Sequence, residues 1–99
     1  MTDAAKIKDF AQNISVDGRH EGDKVSAVGF FIVQQFQGVE KLAGSQYQFV
    51  IEDDLALVAA VPTSFVPKEG ARYLVTGVLR GSGELGLFPG IEIDAIVNA

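Results

Sequence analysis

Between Val25 and Val97 the chain carries five runs rich in Val, Ile, Leu, Ala and Phe, and no connection between them holds a crossover helix. Parallel neighbours need a crossover of a dozen or more residues, usually a helix. Strands joined this tightly therefore pair mainly antiparallel. The first run, Val25 to Phe36, is interrupted by Gly29, where a bend or bulge fits. In the second, Tyr47 to Glu52, Tyr47, Phe49 and Ile51 alternate with Gln48 and Glu52, the pattern of a half-buried strand. A tight turn at Asp53-Asp54 leads into the third, Leu55 to Val61, which Pro62 ends. The fourth, Ala71 to Arg80, again holds an internal glycine, Gly77. Gly81 to Gly86 turns the chain into the last run, Ile91 to Val97, where inward aliphatics alternate with Glu92 and Asp94.

Five short strands with bare edges invite edge-to-edge pairing. Closure into a small barrel removes the edges, and Gly29 and Gly77 relieve the coiling that closure demands. The expected fold is mainly β, a five-stranded antiparallel Greek-key barrel over residues 24–98 with a short N-terminal helix.

The helix is read from residues 1–16. Ala4, Ile7, Phe10 or Ala11, and Ile14 line one helical face, Thr2 is a candidate N-cap, Asp3 suits the first turn, and Asp17-Gly18 marks the stop. Its apolar stripe is expected to pack on the barrel. The polar stretch Asp17 to Asp23 reads as a loop, and Pro62 to Gly70 has room for a single helical turn.

Ninety-nine residues make one domain with one modest core. No Cys is present, which excludes a disulfide framework, a thiolate zinc site and a cysteine nucleophile. Eight Lys+Arg against thirteen Asp+Glu give a net charge of −5, and the cations are scattered without a polybasic run. Such a field repels nucleic acid and anionic membrane surfaces. The first residues carry Asp3 where a signal peptide would be basic, and no apolar run reaches membrane-spanning length. A soluble, cytoplasmic protein without membrane partners is expected.

Catalytic chemistry finds little purchase. Gly81-Ser82-Gly83-Glu84-Leu85-Gly86 matches G-x-G-x-x-G, but Pro89 and the strand at Ile91 leave no room for the helix that would hold a pyrophosphate. The only histidine, His20, sits among Asp17, Glu21 and Asp23, a poor nitrogen set for zinc and the wrong spacing for a calcium loop. No serine lies in a nucleophile elbow. Glu52, Asp53 and Asp54 fall at a hairpin tip, open to water. No catalytic residue, cofactor or metal site is assigned, and the chain reads as a non-enzyme.

The stretch Val25-Ser26-Ala27-Val28-Gly29-Phe30-Phe31-Ile32-Val33, the alternating second strand and the run Val66-Pro67-Lys68-Glu69-Gly70-Ala71-Arg72-Tyr73-Leu74-Val75-Thr76-Gly77-Val78 resemble the OB-fold superfamily, though no single family within it. The resemblance covers Lys24 to Val97 and departs in lacking a helix between the third and fourth strands. It implies a ligand groove across the second and third strands, flanked by the loops joining strands one to two and four to five. On this sequence the groove falls at Gln34, Gln35 or Phe36, at Gln48, and at Arg80, Leu87 and Phe88. The expected function is a non-catalytic binding module for a protein partner or for oligomeric assembly. Weak single-stranded nucleic-acid binding, with Phe36 and Phe88 stacking on bases, is the alternative. A small-ligand carrier or enzyme accessory subunit ranks below both.

Overall fold

The structure, a computed structural model, describes residues 2–14, 19–33, 42, 44–51, 54–82 and 88–99. Among these residues one helix, α1 (Ala4–Asn13), precedes five strands: β1 (Lys24–Ile32), β2 (Ser45–Val50), β3 (Ala56–Val61), β4 (Tyr73–Ser82) and β5 (Phe88–Asn98). The strands form one sheet that closes on itself in the order β1-β2-β3-β5-β4. The ring departs from a wholly antiparallel sheet at one seam. β1–β2, β1–β4, β2–β3 and β4–β5 are antiparallel, whereas β3–β5 is parallel. An odd number of strands cannot alternate direction all the way round, so one like-directed pair is unavoidable.

β1 serves two neighbours. Lys24 to Gly29 pair with β4, and Phe30 to Ile32 pair with β2. The handover falls at Gly29, where a Cβ would collide with the Val50 carbonyl oxygen. Gly77 is equally constrained, because a Cβ there would strike the Glu92 carbonyl oxygen. It sits where the β4–β5 register shifts: Gly77 faces Ile93, but Thr76 faces Ala95. Asp94 is the extra residue of this bulge, and it reverses which positions of β5 face inward.

That reversal corrects the simple alternation read from the sequence. Ile91 and Ile93 are buried, but Ala95 is exposed, Ile96 packs against the core and Val97 is 57% exposed. Strand ends differ as well. β5 starts at Phe88, so Phe88 belongs to a strand paired with Ser82 and not to the preceding loop. β1 is described only as far as Ile32, with Val33 beyond it.

The core is built from the inward rows of all five strands, with Val25, Phe31, Phe49, Leu57, Val75, Leu79 and Ile91 each at 2% exposure or less. Each such side chain contributes about 1.5–3 kcal/mol through burial. Where β1 begins and β4 finishes, α1 closes the ring by inserting Ile7 and Phe10, both at 0% exposure. The N-cap is Asp3 and not Thr2. Its side chain makes no cap bond and instead accepts from Ser26 N (2.9 Å), while Asp3 N donates to Ser26 O (2.7 Å). Pairing with the β1 backbone thus sets where the helix starts.

At the opposite end, where β1 finishes and β4 begins, the described residues close the ring without a helix. Phe65, in the loop between β3 and β4, packs its ring on Phe31 (5.7 Å between centroids) and on Tyr73 (5.4 Å, edge-on). Phe31 also meets Tyr47, Phe49 and Tyr73. Lys68 N donates to Tyr73 Oη (3.0 Å), which fixes the loop over the rings. No described helix is long and apolar enough to cross a membrane.

Candidate functional site

Strand register brings three of the sequence-predicted groove residues onto one outer face. Gln48 faces Val58, Val58 faces Gly90, and Gly90 faces Arg80, making a row across β2, β3, β5 and β4. Because side chains alternate along strands, Gln48, Val58 and Arg80 lie opposite the buried Phe49, Leu57 and Leu79. Phe88 lies two residues before Gly90, hence on the same face, and is 58% exposed. Gly90 at the centre carries no side chain and is buried. Gln34, Phe36 and Leu87, also placed in the groove from sequence, lie outside the described residues, as does Gln35.

The adjacent row runs Gln46–Ala60–Glu92–Val78. Here Gln46 Nε2 donates to the Leu42 carbonyl (2.6 Å), anchoring the approach to β2 on this face, and both Leu42 and Ala60 are 4% exposed. A shallow recess of about 250 Å³ follows, lined by Gly44, Ala60, Pro62 and Glu92 among others. Arg80 does not present a free charge to this surface. Its Nε donates to Glu92 Oε1 (3.1 Å), with both side chains more than two-fifths exposed. Such a pair adds about 0–1 kcal/mol to stability, and Glu92 competes with any anion for the guanidinium. Sequence reasoning missed Val58 and Gly90, since only register reveals that they fill the space between Gln48 and Arg80.

His20 is a clasp between α1 and the turn before β1. Its Nε2 lies 2.8 Å from Asp9 Oδ2 and its Nδ1 lies 3.3 Å from Asp23 Oδ2. Carboxylates only accept, so the imidazolium can donate to both while a neutral ring donates to one. Arg19 and Asn13 also reach Asp9, and Lys6 reaches Asp23 (3.8 Å). Among the described residues no three His, Asp or Glu side chains converge as a metal-ligand set. The G-x-G-x-x-G motif begins inside β4, where Gly81 and Ser82 pair with Pro89 and Phe88 of β5. The next described element after the motif is therefore a strand, not the helix that a dinucleotide site needs.

No protein-family model, curated protein or solved structure matches this chain.

Proposed function

We propose that this chain is a non-catalytic binding module of the OB type, a Greek-key barrel whose outer β2-β3-β5-β4 face engages a protein partner. The observation that carries the reading is the row Gln48–Val58–Gly90–Arg80 with the exposed Phe88 beside it. The strand order β1-β2-β3-β5-β4, with its parallel β3–β5 seam, supports the fold side of the reading. Aromatic anchors on surfaces ringed by polar groups are what protein interfaces use. The partner presents an apolar centre and a basic rim, because this chain carries a net charge of −5 and Arg80 is neutralised by Glu92.

The same charge balance separates this reading from single-strand binding. A phosphate backbone is held by unpaired cations, and Arg80 supplies none. The test compares proteins co-purified by wild type and by Phe88→Asp, quantified by mass spectrometry. A partner recovered in fixed ratio by the wild type and lost with Phe88→Asp is the expected result. Equal recovery by both overturns the reading. Saturable, salt-sensitive binding of a labelled oligothymidylate below about 10 µM would transfer the surface to nucleic acid.

A further inference from the structure

A second surface lies at the end of the ring opposite α1, away from the Gln48–Arg80 row. A recess of about 360 Å³, open to solvent, is lined by Phe65, Tyr73, Ile96, Val97 and Asn98. Val97 on its wall is 57% exposed, and Val66, next to Phe65 in the same loop, is 73% exposed. The Asp94 bulge put Val97 outside, and the absence of a helix between β3 and β4 left the rings of Phe65 and Tyr73 at the floor.

Charge sets this end apart. Lys6, Arg19, Lys24 and Arg80 each lie within ion-pair distance of a carboxylate. Among the described residues, Lys68 and Arg72 are in no ion pair, and both are exposed. Their backbones are tied to the recess: Lys68 N donates to Tyr73 Oη (3.0 Å), and Arg72 O accepts from Ala99 N (3.0 Å). Glu69 is the acidic residue lying between them in sequence. Among the described residues of a chain with net charge −5, the two cations outside any ion pair thus stand on the segment whose backbone bonds to Tyr73 and Ala99, next to the aromatic-floored recess.

We propose that this recess docks an acidic peptide segment of a partner protein, with one aromatic or aliphatic anchor side chain seated between Phe65 and Val97 and flanking carboxylates meeting Lys68 and Arg72. Anchoring by a pocketed side chain suits a closed sheet, which offers no edge for strand addition. Two cations are too few to hold a phosphate backbone on a chain of this charge, but they match the carboxylates on either side of a single anchor.

The test is fluorescence anisotropy with a labelled synthetic peptide of glutamates around one central phenylalanine. Control peptides replace the phenylalanine by alanine or the glutamates by lysines. Saturable binding that both controls lose, and that Lys68→Glu with Arg72→Glu weakens about tenfold or more, is expected. Val97→Asp should weaken it similarly, and Phe88→Asp should leave it unchanged. All four positions are exposed, so circular dichroism should report folded variants. No saturation up to about 1 mM, or binding indifferent to the Lys68 and Arg72 changes, overturns the proposal. Light scattering without peptide supplies the other arm. A dimer that Lys68→Glu dissolves would assign the recess to a second copy of the chain and overturn the peptide reading.

Discussion

The two ends of the ring are closed by different chemistry. Where β1 begins, α1 inserts Ile7 and Phe10 completely, and the rim is held by Asp3 on Ser26, His20 between Asp9 and Asp23, and Lys6 on Asp23. Where β1 finishes, a helix-free loop lays a half-buried Phe65 on Phe31 and Tyr73 and leaves a recess open to water. The first end is specified by a sealed apolar plug with polar latches. The second is specified by ring packing and the hydrogen bond from Lys68 N to Tyr73 Oη, which hold the loop but leave aromatic surface within reach of another molecule. One end is sealed by buried side chains, and the other leaves part of an aromatic ring exposed.

The largest effect should come from a change that neither end can survive. Gly77→Val places branched carbons against the Glu92 carbonyl at the bulge, and relief requires β4 and β5 to part. Strain on this scale exceeds the roughly 4–5 kcal/mol at which a single mutation becomes exceptional. Denaturant unfolding should show no native baseline. A variant that keeps a cooperative transition near wild type would mean that the two strands shift easily, and the bulge would lose its role in phasing Ile96 inward.

Truncating the two plugs compares the ends directly. Phe10→Ala removes a fully buried ring and should cost about 3–5 kcal/mol. Phe65→Ala removes a half-buried ring that already faces the recess, so water can fill the space and the cost should be about 1–2 kcal/mol. Urea midpoints of the two variants give the ranking. Equal losses would show that the end opposite α1 is sealed as tightly as the other.

How much of this was legible in the sequence differs between the ends. The helical plug was readable because Ile7 and Phe10 repeat at helical spacing ahead of a glycine stop. All five strands were readable from composition and period, but the parallel β3–β5 seam was not read, although closure of an odd number of strands requires one. The Asp94 bulge was not, since strict alternation counts Val97 inward. The one signal was the i, i+3 spacing of Ile93 and Ile96, with two residues between them. Gln48, Arg80 and Phe88 could be chosen as polar or aromatic residues near the right loops, but Val58 and Gly90 emerge only from cross-strand register. The neutralising contact from Glu92 to Arg80 is also invisible in sequence, because it lies diagonally across two strands. Local period carries the elements. Pairing between distant segments carries the surface.

The smallest predicted change sharpens the comparison at the latched end. His20 has φ of 71°, a backbone setting that asparagine tolerates well, so His20→Asn removes the ring without adding backbone strain. The lost contacts reach Asp9 and Asp23, whose side chains are 39% and 44% exposed, so water replaces much of what is removed. The global cost should therefore be about 1 kcal/mol. It should also be local. Amide hydrogen exchange in α1 should accelerate severalfold while the amides of Tyr73 and Val75 keep their wild-type protection, because latches restrain opening of the helix and not of the ring. Acceleration spread evenly over the helix and β4 would show instead that α1 opens only with the whole sheet. The plug of Ile7 and Phe10, not the latch, would then hold the helix in place.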